Sequence, residues 1–322
     1  MKVYIARPIP QNAYQILRDG GLDVEINPEN RILTKSELIQ KLQGKDILLS
    51  LLTDPVDGEV LDGAPSVKLV SNYAVGYNNI DVAAATSRGV LVTNTPGVLT
   101  ETTADLAFCL LATCARQILP ADSFTREGKF DKWEPLGFLG QEMYGATLGI
   151  IGAGRIGTAM AKRGAKGFDM NILYSDPKPK SDMESLGGRK VEMDELLAQS
   201  DFISLHVPLN ESTKHLLGKQ EFKKMKKSAI LINTARGPVV DEAALAEALE
   251  TGEIAGVGLD VYENEPTIHP GLLKTQKAVI VPHIGSASLK TREAMARIAA
   301  ENIVAFVNGT EIPAPVNPEV LP

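Results

Sequence analysis

A glycine-rich turn lies between an apolar strand and a helix near the middle of the 322-residue chain. The run Thr147–Ile151 predicts a strand, and it is followed at once by Gly152-Ala153-Gly154-Arg155-Ile156-Gly157 and by a helical pattern over 155–164. The first glycine permits the tight turn, the second leaves room for a ligand at the backbone, and the third lets helix and strand pack closely. Free N–H groups at the start of the helix attract an anion. The pattern therefore predicts a phosphate-binding unit.

The next predicted strand, 171–174, ends just before Asp176. A carboxylate at this distance from the glycines accepts hydrogen bonds from both ribose hydroxyls of NAD and repels the 2′-phosphate of NADP. Lys178 and Lys180 lie nearby and soften that preference. We therefore predict a nicotinamide dinucleotide, with NAD preferred and NADP as the alternative. A plain strand–helix turn beside a solvated Asp176 is the competing interpretation.

Short apolar runs alternate with helical patterns along the whole chain, which is typical of parallel sheets covered by helices. Strands are predicted at residues 3–6, 46–49, 68–70, 90–92, 147–151, 171–174, 202–205, 229–232, 256–259 and 278–281. One long helix is predicted from Thr100 through Leu119 and another over 289–306. The length suits two domains of about 150 residues each. An α/β protein with two doubly wound parallel sheets (Rossmann or flavodoxin-like) is predicted, and one large open sheet is the alternative.

Composition excludes several functional classes. The formal net charge is −7, which disfavours partners such as nucleic acid or an anionic membrane surface. The N-terminal apolar run is too short for a signal peptide, and the longest apolar stretch, 106–115, is too short to span a bilayer, so a cytoplasmic location is expected. Cys109 and Cys114 point about 140° apart on a helix. They predict two buried free thiols, and neither a disulfide nor a metal site is expected.

Two of the four histidines follow predicted strands, at the edge of an open sheet where ligands bind. His206 and His283 are equally good candidates by position alone. Arg236 follows the strand 229–232 and suits a planar carboxylate. Glu265 lies in an acidic loop after the strand 256–259. A carboxylate beside a histidine favours its protonated form, which can protonate a carbonyl oxygen while hydride reaches the carbon.

Several ordered motifs carry a resemblance to the D-isomer specific 2-hydroxyacid dehydrogenase family over essentially the full chain. They are Asn72 through Asp81, Asn94-Thr95-Pro96-Gly97 through Asp105, Gly149 through Gly157, His206-Val207-Pro208-Leu209, Asn233-Thr234-Ala235-Arg236-Gly237, Gly258 through Glu263 with Glu265-Pro266, and Pro282-His283-Ile284-Gly285. Within the family the chain is most similar to glyoxylate/hydroxypyruvate reductases, because of Asn94 through Thr100 and Trp133-Glu134-Pro135.

The resemblance implies a role for each matching residue. Arg236 would bind the substrate carboxylate, His283 would be the general acid, and Glu265 its partner. Contacts with the 2-oxo acid substrate are implied for Leu52, Val75, Gly76, Trp133 and Ser286. Cofactor contacts are implied for Thr103, Gly152, Gly154, Arg155, Ile156, Gly157, Asp176, His206, Val207, Pro208, Thr213, Thr234, Ala235, Asp260 and Gly285.

The resemblance also implies an interrupted domain order and a homodimer. Residues 1–99 plus 289–322 would form the substrate-binding domain, and 100–288 an inserted NAD(P)-binding Rossmann domain. Trp133 would contact the partner subunit. Two other substrates, 2-ketogluconate and phosphoglycerate, fit the same motifs. An NAD-sensing binding protein is a more remote alternative from a different functional class.

Overall fold

Two compact units make up the chain in a computed structural model that describes residues 1–321. The first unit comprises Met1–Leu99 and the segment that begins at Ser286, and the second comprises Thr100–Gly285. Residues 286–288 thus belong to the interrupted first unit and not to the inserted one. Each unit has its own parallel sheet, so the predicted α/β class with two doubly wound sheets is confirmed and the single open sheet is wrong.

The first unit is a five-stranded sheet in the order β2-β1-β3-β4-β5, with every neighbouring pair parallel. Its strands are β1 (Lys2–Ile5), β2 (Asp23–Ile26), β3 (Ile47–Ser50), β4 (Leu69–Asn72) and β5 (Leu91–Thr93). Its helices are α1 (Gln11–Asp19), α2 (Lys35–Leu42), α3 (Gly58–Gly63), α4 (Val82–Ser87) and α13 (Leu289–Asn308), with a 3₁₀ turn at Pro318–Val320.

The second unit is a seven-stranded parallel sheet in the order β12-β11-β10-β9-β6-β7-β8. Its strands are β6 (Thr147–Ile151), β7 (Asn171–Ser175), β8 (Arg189–Lys190), β9 (Phe202–Leu205), β10 (Ile230–Asn233), β11 (Gly256–Leu259) and β12 (Ala278–Ile280). Its helices are α5 (Thr100–Ala115), α6 (Ile118–Arg126), α7 (Arg155–Phe168), α8 (Ser181–Glu184), α9 (Met193–Gln199), α10 (Lys219–Lys224), α11 (Glu242–Thr251) and α12 (Pro270–Lys274), with a 3₁₀ turn at Gly237–Val239.

The inner strands of both sheets are buried on both faces, and successive side chains of such a strand point into opposite apolar clusters. In β1, Val3 and Ile5 pack into one apolar cluster and Tyr4 into the cluster on the other face. In β10, Leu231 and Ile232 divide in the same way. Strands buried on both faces read as continuous apolar runs, which is why most of them could be recognised from the sequence.

The predicted helix from Thr100 through Leu119 is two helices in the structure. Gln117 adopts a left-handed backbone conformation with φ of 50°, and this separates α5 from α6, which begins at Ile118.

No single helix among residues 1–321 has the length and apolar composition of a membrane span. The helices α5 and α6, bent by 63°, meet that test only as a pair. Cys109 and Cys114 are free, but Cys109 is exposed and Cys114 partly buried, so the expectation of two buried thiols is wrong.

Candidate active site

The glycine turn joins β6 to α7 in the second unit. Gly152 has φ of +92°, and a Cβ atom there would lie 2.7 Å from the backbone carbon of His206. A Cβ atom on Gly157 would overlap the carbonyl oxygen of Gly152. A Cβ atom on Gly154 would instead meet no atom within 4 Å. The first and third glycines are therefore required by the fold, whereas the second leaves open space beside the first N–H groups of α7.

Asp176 holds this turn from the end of β7. Its carboxylate accepts a hydrogen bond from the Ala153 N–H at 3.1 Å and one from the Lys178 N–H at 3.2 Å. Lys180 Nζ lies 3.4 Å from the same carboxylate. Because its side chain is only 13% exposed, Asp176 is fixed relative to the glycine turn.

A cavity of about 580 Å³ lies along the start of α7. Cationic side chains of Arg155, Lys162 and Lys180 line it together with the acidic side chains of Glu101 and Asp182. Arg155 at the helix N-terminus and the two nearby lysines provide local positive charge in a chain whose net charge is −7.

The remaining residues predicted to contact a dinucleotide lie mostly in loops that follow parallel strands of the second unit. His206, Val207 and Pro208 follow β9, Thr234 and Ala235 follow β10, and Asp260 follows β11. The Thr234 hydroxyl is buried and has no hydrogen-bond partner among the described residues. A buried hydroxyl without a partner, at the same sheet edge as the open glycine turn, fits a ligand that supplies the missing hydrogen bond. The residues present therefore fit a bound nicotinamide dinucleotide.

His206 does not suit the role of proton donor. Burial lowers its pKa to about 3, so the ring is neutral at pH 7. Its Nε2 atom lies 2.9 Å from the hydroxyl of Ser204. The environment of His206 thus separates two histidines that position in the chain alone left equal, and it leaves His283 as the stronger candidate.

His283 and Glu265 form a close pair. The Nδ1 atom of His283 lies 2.8 Å from Oε2 of Glu265, and the other carboxylate oxygen accepts the Tyr262 N–H at 3.0 Å. Burial acts to raise the pKa of Glu265, but the hydrogen bond and charge of His283, the Tyr262 N–H and the charge of Arg236 together lower it below its ordinary value. The carboxylate is therefore ionised at neutral pH and fixes the orientation of the imidazole, leaving Nε2 for a ligand.

Arg236 follows β10 and is partly buried. One of its Nη atoms donates to the Ala235 carbonyl at 2.6 Å. Burial lowers the pKa of Arg236, and the negative charge of Glu265 opposes that change. An arginine is nevertheless protonated in proteins, so the second unit contains a fixed cation in electrostatic contact with the Glu265 carboxylate.

Asp260 supports the loop that carries His283. Its buried carboxylate accepts the N–H of Ile284 at 2.6 Å and that of Gly285 at 2.8 Å. The Gly285 carbonyl accepts a hydrogen bond from the Thr103 hydroxyl at 3.2 Å. Three residues predicted as cofactor contacts, Thr103, Asp260 and Gly285, thus bond to one another in the structure and position the segment next to His283.

The structure contains a second histidine–carboxylate pair, formed by the exposed His215, which the sequence analysis did not predict. Its Nε2 atom lies 2.6 Å from Oε1 of Glu263, two residues before Glu265. The backbone N–H of His215 also donates to the Pro238 carbonyl at 2.8 Å. No sequence signal joins His215 to Glu263, because the two lie 48 positions apart.

The predicted substrate contacts are divided between the units. Leu52, Val75, Gly76 and Ser286 belong to the first unit, and Trp133 belongs to the second. Thr213, a predicted cofactor contact, donates from its hydroxyl to the Pro208 carbonyl at 2.6 Å, which closes the loop after β9.

Within residues 1–321, the structure brings together no group of three or more His, Cys, Asp or Glu side chains that could hold a metal ion.

The chain is similar to known proteins along nearly its whole length. Residues 108–285 match the family described as D-isomer specific 2-hydroxyacid dehydrogenase, NAD binding domain. A glyoxylate reductase of Korarchaeum cryptofilum is 49% identical, covering 99% of this chain and 97% of its own. One from Thermococcus gammatolerans has the same identity and coverage. The crystal structure of a glyoxylate reductase from Paecilomyes thermophila is 33% identical with a TM-score of 0.88, covering 99% of each chain.

The fold and the site define a nicotinamide-dependent oxidoreductase. The chain belongs to the D-isomer specific 2-hydroxyacid dehydrogenase family, as the matched domain and the full-length relatives show.

The glycine turn gives a matched pair of substitutions. We expect Gly154→Ala to leave the melting temperature unchanged, because its Cβ meets open space, and to weaken NADH binding by about tenfold or more. Gly157→Ala should lower the melting temperature, because its Cβ overlaps the Gly152 carbonyl. Thermal denaturation and NADH fluorescence titration measure both. Full NADH affinity in Gly154→Ala would show that the dinucleotide does not approach this turn.

Proposed function

We propose that the chain reduces glyoxylate and hydroxypyruvate to the corresponding 2-hydroxy acid, of D configuration where the product is chiral, with His283 as the general acid. The His283–Glu265 pair, 2.8 Å apart, is the observation that carries the proposal. The names of the full-length relatives support glyoxylate as substrate. Hydroxypyruvate follows from the resemblance in sequence motifs, and a solved glyoxylate/hydroxypyruvate reductase of Sinorhizobium meliloti with 32% identity supports it.

In this proposal the residues of the second unit transfer one proton, from His283, and stabilise one charge, that of the His283 imidazolium. The dinucleotide, when bound, supplies the hydride that reaches the carbonyl carbon. His283 gives its proton from Nε2 to the carbonyl oxygen, so no alkoxide has to be released into water. Glu265 stabilises the imidazolium before the transfer and keeps its ring oriented.

Arg236 binds the substrate carboxylate in this proposal and polarises the neighbouring carbonyl. A planar guanidinium forms two parallel hydrogen bonds to a carboxylate, which fixes the plane of a 2-oxo acid as well as its position. The N–H groups of Val75 and Gly76 are proposed to bind the same carboxylate. Leu52, Trp133 and Ser286 are proposed as further substrate contacts.

NADH is proposed as the preferred reductant. Asp176 is fixed beside the glycine turn, where its charge opposes a 2′-phosphate. Lys180 pairs with that carboxylate and lowers the local negative charge. NADPH is therefore expected to be used as well, but at a lower rate than NADH. The Sinorhizobium meliloti reductase named above is described as NADPH-dependent, so the family includes members with the other preference.

A homodimer is proposed from an exposed apolar segment in the second unit. Of the fourteen large apolar side chains that are exposed in the described chain, eight fall between residues 118 and 144. They are Ile118, Leu119, Phe130, Trp133, Leu136, Phe138, Leu139 and Tyr144. Exposed apolar groups concentrated in one segment are typical of a surface that a partner covers. A second copy of the chain is the proposed partner.

The cytoplasm is the compartment that we propose for the protein.

The proposed acid gives the direct test of function. Steady-state kinetics with NADH and glyoxylate, hydroxypyruvate, 2-ketogluconate and phosphohydroxypyruvate (the oxidised partner of phosphoglycerate) establishes the substrate. We expect His283→Ala to lower kcat by about 10²- to 10⁴-fold, because the proton donor is lost. His215→Ala removes the other histidine–carboxylate pair and is the matched control, expected to keep most of the activity. More than a tenth of wild-type kcat in His283→Ala would refute the assigned role.

Cofactor preference is tested by removing charge without removing the hydrogen bond. We expect Asp176→Asn to raise kcat/KM with NADPH relative to NADH by about tenfold, because the amide oxygen still accepts the Ala153 N–H while the repelling charge is gone. Lys180→Ala should move the ratio in the opposite direction. An unchanged ratio in Asp176→Asn would show that this carboxylate does not discriminate.

The dimer is tested on the exposed segment. Leu136 is 80% exposed and Leu139 64%, so glutamate at both positions costs the isolated chain little, but it places unpaired charges in an interface. We expect Leu136→Glu/Leu139→Glu to convert a dimer into monomers in light scattering. Leu273→Glu, at another exposed leucine of the second unit, should remain dimeric. A wild-type monomer would contradict the proposal.

A further inference from the structure

The turn at residues 74–77, which follows β4 in the first unit, has its carbonyl groups occupied. The Ala74 carbonyl accepts the backbone N–H of Thr95 at 2.9 Å. The Val75 carbonyl accepts a hydrogen bond from Nδ2 of Asn94 at 2.7 Å. Two adjacent residues, Asn94 and Thr95, therefore hold two successive peptide groups of this turn.

The N–H groups of the same two peptides have no acceptor. Among residues 1–321, neither the Val75 N–H nor the Gly76 N–H donates to another group of the protein. The carbonyl of one residue and the N–H of the next belong to one planar trans peptide and point in opposite directions. The bond from Asn94 to the Val75 carbonyl thus sets the direction of the Gly76 N–H, and the bond from Thr95 to the Ala74 carbonyl sets that of the Val75 N–H.

Asn94 is itself anchored. Its N–H donates to the Ala314 carbonyl at 3.2 Å, and its carbonyl accepts a hydrogen bond from Nδ2 of the buried Asn302 at 3.1 Å. A backbone held on both sides leaves the Asn94 side chain few alternatives to its bond with Val75. Residues distant in the chain thus fix the side chain that orients the turn.

The far side of the turn has a similar support. The buried Asn72 donates from Nδ2 to the Gly76 carbonyl at 2.9 Å, and its Oδ1 accepts the Ser50 hydroxyl at 3.0 Å. Asn79 donates to the carbonyls of Leu51 and Asp54, at 3.1 and 3.0 Å. The Asn72 amide therefore holds the Gly76 end of the turn, and Asn79 ties the segment after the turn to the loop that follows β3.

We propose that Asn94 is a positioning residue for the substrate: through the Val75 carbonyl it aims the Gly76 N–H at the carboxylate of the 2-oxo acid. This inference rests on the proposed function, which places the substrate carboxylate at Val75 and Gly76. Asn94 does not touch the substrate. It acts by fixing a backbone donor that a carboxylate needs in one direction, and such fixing improves binding without changing the proton transfer at His283.

Asn94→Asp is the sharpest test, because it keeps the shape and replaces the donor with an oxygen that repels the Val75 carbonyl. We expect KM for glyoxylate to rise about tenfold or more, with kcat changed by less than about threefold and the Kd for NADH unchanged. Asn94→Ala, which places no charge there, should raise KM about three- to tenfold. Asn12→Asp is the matched control, since Asn12 Nδ2 donates to the Glu293 carbonyl in the same unit and at a similar distance, 2.7 Å.

Two outcomes would overturn the inference. An unchanged KM in a folded Asn94→Asp would do so, and so would an equal loss of kcat and NADH binding with a lower melting temperature, which indicates a merely structural role. Calorimetric titration of oxalate into each variant with NADH present measures carboxylate binding without turnover. If the wild-type protein reduces no 2-oxo acid, the proposed function fails, and the oxalate affinities of Asn94→Asp and Asn12→Asp still decide the role of Asn94.

Discussion

The parallel arrangement of both sheets is the constraint on which the rest of the structure depends. A parallel strand has to be followed by a return across the sheet before the next strand can begin, and here short helices provide most of those returns. All strands then end at the same edge, so the loops after β6, β7, β9, β10 and β11 gather there. This edge supplies N–H groups and polar side chains in quantity, and its backbone groups are not used by the sheet. The proposed site for two anions, a pyrophosphate and a carboxylate, is therefore compatible with an acidic protein.

The polar side chains of the candidate site are held rigidly by hydrogen bonds to the backbone and to each other. Glu265 is bonded to a backbone N–H and to His283, and Asp260 is bonded to two backbone N–H groups of the segment that carries the same histidine. Both carboxylates are partly or fully removed from water, which makes each of these hydrogen bonds stronger and an unpaired charge more costly. The imidazole is thus oriented by its neighbours before any ligand arrives.

The sequence predicted the fold class and most strands, because strands buried on both faces are continuous apolar runs. It missed β2, in which Asp23 and Glu25 alternate with apolar residues at the edge of the sheet, and β8, which has only two residues. It also joined α5 and α6, since a left-handed residue such as Gln117 leaves no mark in an apolar pattern. Local motifs identified the glycine turn and selected His283 and Arg236 as candidates. The pairing of His215 with Glu263 and the bond from Asn94 to Val75 depend on contacts between distant segments, which no periodicity reveals.

The interrupted order of the first unit has a consequence for folding during synthesis on the ribosome. Residues after 286 supply one face of its core, with Met295, Ala299 and Ile303 of α13 packed among side chains of β1, β3 and β4. Asn317 completes the edge strand by accepting the Val92 N–H at 2.7 Å. The segment Thr100–Gly285, by contrast, contains every strand of its own sheet. During vectorial synthesis the later-made unit is therefore the first to have all of its parts, and the N-terminal strands stay partly uncovered until residues 286–321 have been made.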